Sequence, residues 1–164
     1  MGIKKMFWAA FSWMKRTDLV PMDGDPDAPK GGVTSRVYQA ILEEHLPIIL
    51  DADSIFMQDG AGIHRAKIIK AFFKACNIEL MDWPPYSPDL NPIENLWAIL
   101  KARIYQDHPE LEHAPNTDDV LDQLINAAIE AWNVIGNEIL CNLSDSMPNR
   151  VKAVIDAEWW YTKY

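Results

Sequence analysis

Four prolines fall within nine positions of the stretch WPPYSPDLNPIENLW, residues 83–97. Proline fixes its own φ and has no N–H to donate, so Pro88 and Pro92 forbid a continuous helix or a central strand here. The stretch is therefore a rigid connector. The spacing of Ile93, Leu96, Trp97, Leu100 and Ile104 makes it a connector into a helix. Asn91 reads as the N-cap of that helix, Pro92 as its first residue and Glu94 as its third, a capping-box pattern with asparagine in the cap. On local grounds Glu94 closes that box, and any chemistry for it has to be argued from the rest of the chain.

Around this connector, strand and helix patterns alternate. MFWAAFSWM and TDLVPM read as two strands joined by a tight turn and closed by DGDPDAPKGG. From Thr34 the period changes: Val37, Tyr38, Ile41, Leu42, His45 and Leu46 mark a helix that Pro47 ends. SIFMQD (54–59) reads as a buried strand with a polar end. Ile68, Ile69, Phe72, Phe73 and Cys76 form a helical stripe, with Lys67, Lys70 and Lys74 on the opposite face. IELMDW (78–83) is the next strand. After the connector's helix and the loop QDHPELEHAPN, Leu121, Leu124, Ile125, Ala128 and Trp132 define a further helix that Gly136 interrupts, and a last one starts near Asn149. This order predicts an α/β layered domain without internal repeats or a splitting linker.

A chain of 164 residues, 49% hydrophobic and 24% charged, is one folded domain with a real core. No apolar run is long enough to cross a bilayer. MGIKKMFWAAFSWMKR imitates a secretory leader, but Ser12 and two tryptophans interrupt it and no small-residue cleavage site follows, so it reads as a buried strand of a cytosolic or nuclear protein. Cys76 and Cys141 lie far apart in apolar helical patterns and are expected to be buried free thiols, with no disulfide and no thiolate metal site. Trp8, Trp13, Trp83, Trp97 and Trp132 are expected in the core. Net charge is −9 and the isoelectric point 4.8, which makes the chain by itself a poor non-specific DNA binder.

Asp59 ends a buried strand, where open α/β sheets place their ligands. Residues 60 to 93, 34 in all, separate it from Glu94. A strand end and a helix start that bring two carboxylates together can share Mg²⁺, a hard ion satisfied by a few carboxylates, waters and phosphates. A paired-ion site of that kind stabilises both oxygens of an in-line phosphodiester displacement. His64 could position a water or a phosphate, or be a structural histidine at a helix start. Asp59-Gly60 is also an ordinary turn signal. The three lysines could track a nucleic-acid backbone or be a solvated face. Asp18, Asp23, Asp25 and Asp27 read as loop solvation.

FMQDGAGIH, 34 residues, then WPPYSPDLNPIENLWAILK resembles the catalytic core of the mariner-type transposases, members of the DDE superfamily. The likeness extends through KGGVTSRVYQAIL upstream and SMPNRVKAVIDA…YTKY at the end. It implies a ribonuclease-H-like three-layer α/β fold, a mixed sheet flanked by helices, carrying an Asp/Asp/Glu metal triad. Asp59 matches the second acid and Glu94 the third, both as ligands of Mg²⁺ or Mn²⁺, with His64 and Asn91 accessory; one carboxylate can serve both a cap and a metal. The first acid and its central strand lie upstream of MFWAAFSWM in the family, as does the helix-turn-helix DNA-binding domain. The resemblance therefore implies a single partial catalytic domain over residues 1–164, with weakened metal binding and impaired cleavage and strand transfer. Asp18 and Asp25 are the places to look for a replacement acid. Gly60 and Gly62 stand where the family has Asn and Pro, and Trp159 and Trp160 where it has glycines, as in a decayed copy. The implied partner is transposon-end DNA, bound weakly, in the nucleus. An unpaired edge beside FMQD would favour a marginal, aggregating or homo-oligomeric chain. The alternative is a non-enzymatic, domesticated or relic domain acting as a protein-interaction module.

Overall fold

The N-terminal apolar segments form an antiparallel hairpin, β1 (Met6–Trp8) with β2 (Val20–Met22), in the register Met6 to Met22, Phe7 to Pro21 and Trp8 to Val20. A bridge between Phe11 and Arg16 prolongs it to a tip at Trp13 and Met14. The computed structural model describes residues 3–82 and 90–157. The connector's Trp83, Pro84, Pro85 and Pro88 lie outside the described residues, as do Trp159 and Trp160.

Helix α1 (Ser35–His45) follows, with Thr34 accepting from the Val37 N–H as its cap. A short 3₁₀ turn, Leu46–Ile48, holds Pro47 in its first turn and ends the helix where the sequence placed the stop. Strand β3 (Ile55–Phe56) pairs in parallel with β4 (Glu79–Leu80), and α2 (Lys67–Ala75) is the crossover between them. Four helices follow among the described residues: α3 (Ile93–Asp107), α4 (Asp118–Asn133), α5 (Asn137–Asp145) and α6 (Met147–Asp156). Antiparallel and parallel pairing are thus both present, as two two-stranded ladders.

Strand periodicity makes the layers. Side chains of β1 and its extension alternate in direction. Trp8 and Ala10 join a core with Tyr38, Leu42, Leu46, Phe56, Ile69 and Phe73, under α1 and α2. Ala9, with Phe7 and Phe11 beside it, joins a second core with Leu96, Leu100, Leu124 and Trp132, under α3 and α4. A strand buried on both faces has to be apolar at successive positions, which is why MFWAAF shows no polar alternation.

Two side chains lock the hairpin to the helical layer. The Trp132 indole N–H donates to the Thr17 carbonyl at 2.9 Å. Arg16 donates to the carbonyls of Ile135 (2.6 Å) and Asn133 (2.9 Å), closing the C-terminal end of α4 with a cation, where the helix dipole favours one.

Several expectations are corrected. Trp13 is 55% exposed, because it sits at the hairpin tip, beyond the last bridge. Cys76 is exposed, since it caps α2 one turn past the buried stripe of Ile69 and Phe73; Cys141 is half-buried. The loop QDHPELEHAPN contains a 3₁₀ segment, Pro109–His113, that buries Leu111. The last helix begins at Met147 because Pro148 fits a helix's first turn, where no N–H is needed.

Asp25 is not loop solvation but a buried staple. Its carboxylate accepts from the Thr34 hydroxyl (2.6 Å), the Asp27 N–H (3.0 Å) and the Arg36 guanidinium (3.0 Å). The loop around it turns back tightly: Gly31 has φ +58°, and a Cβ on Gly24 would lie 1.8 Å from the Gly31 carbonyl oxygen. The Thr34 hydroxyl first, then the Asp27 N–H and Arg36, hold the Asp25 carboxyl below its ordinary range. A depressed native value means that its stabilisation is complete above the ordinary carboxylate range and lost as pH falls through the depressed one. An Asp25→Asn variant is expected to show a shallower acid limb in its stability–pH profile. A limb as steep as the wild type's would remove Asp25 from that role.

Candidate active site

β3 delivers its polar end to the top of the sheet. The Gln58 carbonyl oxygen accepts from the Tyr38 hydroxyl at 2.7 Å, and its amide donates to the His64 carbonyl at 3.4 Å. Burial pushes the Tyr38 pKa far up, so the phenol keeps its proton and remains a donor. Asp59 follows at once. Its Oδ1 accepts from the Ala61 N–H at 3.0 Å, an Asx turn, and lies 2.6 Å from His64 Nδ1. A carboxylate offers only lone pairs, so Nδ1 carries the proton in this contact. The His64 ring also packs against the Tyr38 ring, tilted by 34° with centroids 4.5 Å apart. Asp59 Oδ1 is therefore held by two donors, and Oδ2 makes no hydrogen bond among the described residues.

Glu94 arrives from the other side, in the first turn of α3. Asn91 Oδ1 accepts from the Ile93 N–H (3.3 Å), and its carbonyl accepts from the Glu94 N–H (3.2 Å). The helix starts at Ile93, one residue later than the Asn91-Pro92 pattern suggests, with Pro92 as its cap at φ −68° and ψ −15°. Only half of the capping box is made. Among the described residues Glu94 makes no return bond to Asn91, so its carboxylate is not occupied by capping.

Both acids line one cavity of about 540 Å³, together with His64, Tyr38, Asn91 and Trp97. Glu94 is exposed at its rim. Partial dehydration by the wall, and then the negative charge of Asp59, raise the Glu94 pKa. That second cause means that the two carboxylates lie close enough to interact electrostatically. Among the described residues no group of three acids, histidines or cysteines is placed to hold a metal. Asp18 and Asp25 do not line the cavity, which removes them as replacement acids. Lys67, Lys70 and Lys74 are all exposed and outside every ion pair found among the described residues. Tyr38 was read as plain core; its hydroxyl role has no signal in a helical apolar stripe. Gln58 had one, as the polar residue that breaks a buried strand just before an acid.

The raised Glu94 pKa has a sign that can be checked. The native state holds this proton more tightly than the unfolded chain, so stability is greatest below the unfolded value and falls as pH rises through the raised one. Glu94→Gln in chelator-containing buffer is expected to melt above wild type at neutral pH, by about 1–2 °C given roughly 2–4 °C per kcal/mol at this size. At acid pH the two should converge. Equal midpoints across the range would contradict the repulsion.

An antiparallel hairpin and a parallel βαβ ladder packed among helices, with an acid at a strand end and another at a helix start lining one cavity, make an α/β protein of ribonuclease-H-like fold. Residues 29–114 match the family described as DDE superfamily endonuclease. The chain belongs to that family. It is 33% identical over 167 residues to the Tcb2 transposase of Caenorhabditis briggsae, covering 99% of this chain and 55% of that one. It is 40% identical over 110 residues to the Tc1 transposase of Caenorhabditis elegans, covering 67% and 37%. The chain thus spans about half the length, or less, of these curated relatives. Among solved structures it superposes on the Mos1 transposase catalytic domain with raltegravir and Mg at TM-score 0.62 and 18% identity, covering 97% of this chain and 84% of that one. A Mos1 paired-end complex with the left transposon end gives TM-score 0.68 at 19% identity, covering 98% and 45%. At that identity the likeness establishes the fold alone.

Proposed function

We propose that residues 1–164 are a partial DDE catalytic domain in which Asp59 and Glu94 bind Mg²⁺ or Mn²⁺ for cleavage and strand transfer of DNA. The carrying observation is the Glu94 carboxylate, left out of its capping box and repelled by Asp59 across one cavity. Two carboxylates lining one cavity suit a hard divalent cation and no soft metal. Bound there, the cation would stabilise charge on the attacking and leaving phosphate-ester oxygens.

The chain's own groups do the positioning. The Ala61 N–H and His64 Nδ1–H fix Asp59 through Oδ1, which presents Oδ2 as the ligand atom. Tyr38 and Gln58 fix His64 in turn. Helix α3 carries Glu94 on a start defined by Asn91. The exposed lysines of α2 offer phosphates a cationic row on an otherwise acidic chain. In this reading DNA is the partner and the nucleus the compartment of action. Metal titration and plasmid nicking with alanine variants of both acids test this reading. The acidic balance, net −9, favours the second reading, a non-enzymatic interaction module. Metal binding unaltered by both substitutions would select it.

A further inference from the structure

Among the described residues Arg150 is the only buried basic side chain, at 2% exposure. It stands near the start of α6, beside the α5–α6 junction whose Ser144 and Met147 line the same cavity as Glu94. A guanidinium keeps its charge and offers donors only, so burying it demands fixed acceptors. Its Nε donates to Ser146 Oγ at 2.7 Å, one turn back on α6, and the Ser146 hydroxyl in turn donates to the Leu143 carbonyl at 2.6 Å. Its Nη2 crosses to α3 and donates to Asn95 Oδ1 at 2.7 Å. Asn95 is the residue directly after Glu94.

Helix fields do not account for a cation at this place. Arg150 lies in the opening turns of α6 and against the first turn of α3, and both of those helix ends carry positive partial charge. What the position supplies is a directional bond between two helices. The first turn of α3 has no intrahelical partners for its N–H groups, and the Asn91 side chain holds one of them, that of Ile93. Leu96 and Leu100 bind the body of the helix by apolar burial, which is non-directional. Successive helix residues stand about 100° apart around the axis, so fixing the direction of Asn95 also fixes that of Glu94.

We propose that Arg150 is a positioning residue: through Asn95 it holds the first turn of α3, and with it the Glu94 carboxylate, at the cavity shared with Asp59. The inference rests on the reading of Glu94 as a metal ligand and adds to it a residue from the far end of the fold.

The test measures Mn²⁺ binding to the purified chain by the electron paramagnetic resonance of the free ion, at a temperature where circular dichroism shows each variant folded. Arg150→Lys keeps the charge and loses the planar fork that reaches Ser146 and Asn95 together. Asn95→Ala cuts the same bond from its half-buried side, and so decides the matter even where a change at buried Arg150 unfolds the chain. Each variant is expected to weaken Mn²⁺ binding about tenfold, as loss of groups that orient a metal ligand does. The double variant should bind no more weakly than either single one, because both remove one interaction. In chelator, the amides of Glu94 and Asn95 should exchange about tenfold faster in both variants, while those of α4 stay unchanged. Full Mn²⁺ affinity in folded Asn95→Ala would leave Arg150 a packing residue and overturn the inference. Full affinity in Arg150→Lys would make its charge the active property and overturn it too. Glu94→Ala separates the two levels. Weakened binding there with none in Asn95→Ala strikes the positioning role alone, whereas unchanged binding in Glu94→Ala strikes the metal reading and this inference with it.

Discussion

With 10 mM Mn²⁺ the wild-type chain is expected to melt about 3–6 °C higher than in chelator, and Asp59→Ala and Glu94→Ala should each erase that shift. The size follows from linkage. A two-carboxylate site with a dissociation constant of about 1 mM stabilises the native state by roughly 1.4 kcal/mol at that concentration, and a chain of this size gains about 2–4 °C per kcal/mol. Any metal-dependent nicking of supercoiled DNA should fall at least about 100-fold in either variant, because each removes charge stabilisation that acts on the reacting phosphate. Asn91→Ala separates ligation from helix capping. It loses the cap on α3, worth about 0.5–2 kcal/mol, and so melts lower in chelator, yet it should keep the full Mn²⁺ shift. A shift surviving in both acid variants would remove Asp59 and Glu94 from the metal site.

The largest expected loss of stability is at Trp132. Its ring is buried, stacks on Trp97 with centroids 5.9 Å apart, and receives the Arg16 guanidinium 5.8 Å above it. Its N–H satisfies the Thr17 carbonyl in a buried setting. Trp132→Ala combines a large cavity, about 3–5 kcal/mol, with an orphaned carbonyl, about 1–3 kcal/mol. Total stabilities of about 5–15 kcal/mol are typical, so the variant should be largely unfolded at 37 °C. Trp132→Phe keeps most of the apolar volume and should lose a smaller amount, dominated by the bond to Thr17. Urea unfolding of the three proteins checks the order. A Trp132→Ala midpoint equal to that of Trp132→Phe would mean that packing at this position matters little.

Much of this was legible before any coordinates. Helix α1 and its stop at Pro47, the strand ending at Asp59, the α2 stripe and the interruption at Gly136 follow from periodicity and backbone chemistry. Assigning Asp59 and Glu94 to one site rests on the family resemblance of FMQDGAGIH and the proline-rich block, since the local pattern around Glu94 reads as capping. The parts that failed are those set by long-range neighbours. Trp13 and Cys76 look like core residues by type, but one falls on a hairpin tip and the other past the end of a stripe. Asp25 looks like one of four solvated acids until Thr34 and Arg36 fold back onto it. The capping box reads as closed in sequence, yet among the described residues Glu94 makes no return bond to Asn91.

The fork of Arg16 has a consequence for how the chain is made. Its acceptors lie 117 and 119 residues further on, and the Trp132–Thr17 bond spans 115. At about 5–20 residues per second, a ribosome needs roughly 6–23 s to reach them after the hairpin has left the tunnel. For that interval MFWAAF has water, or a chaperone, where Trp132 will later be. An apolar segment made first thus waits through most of synthesis for the helix that covers it.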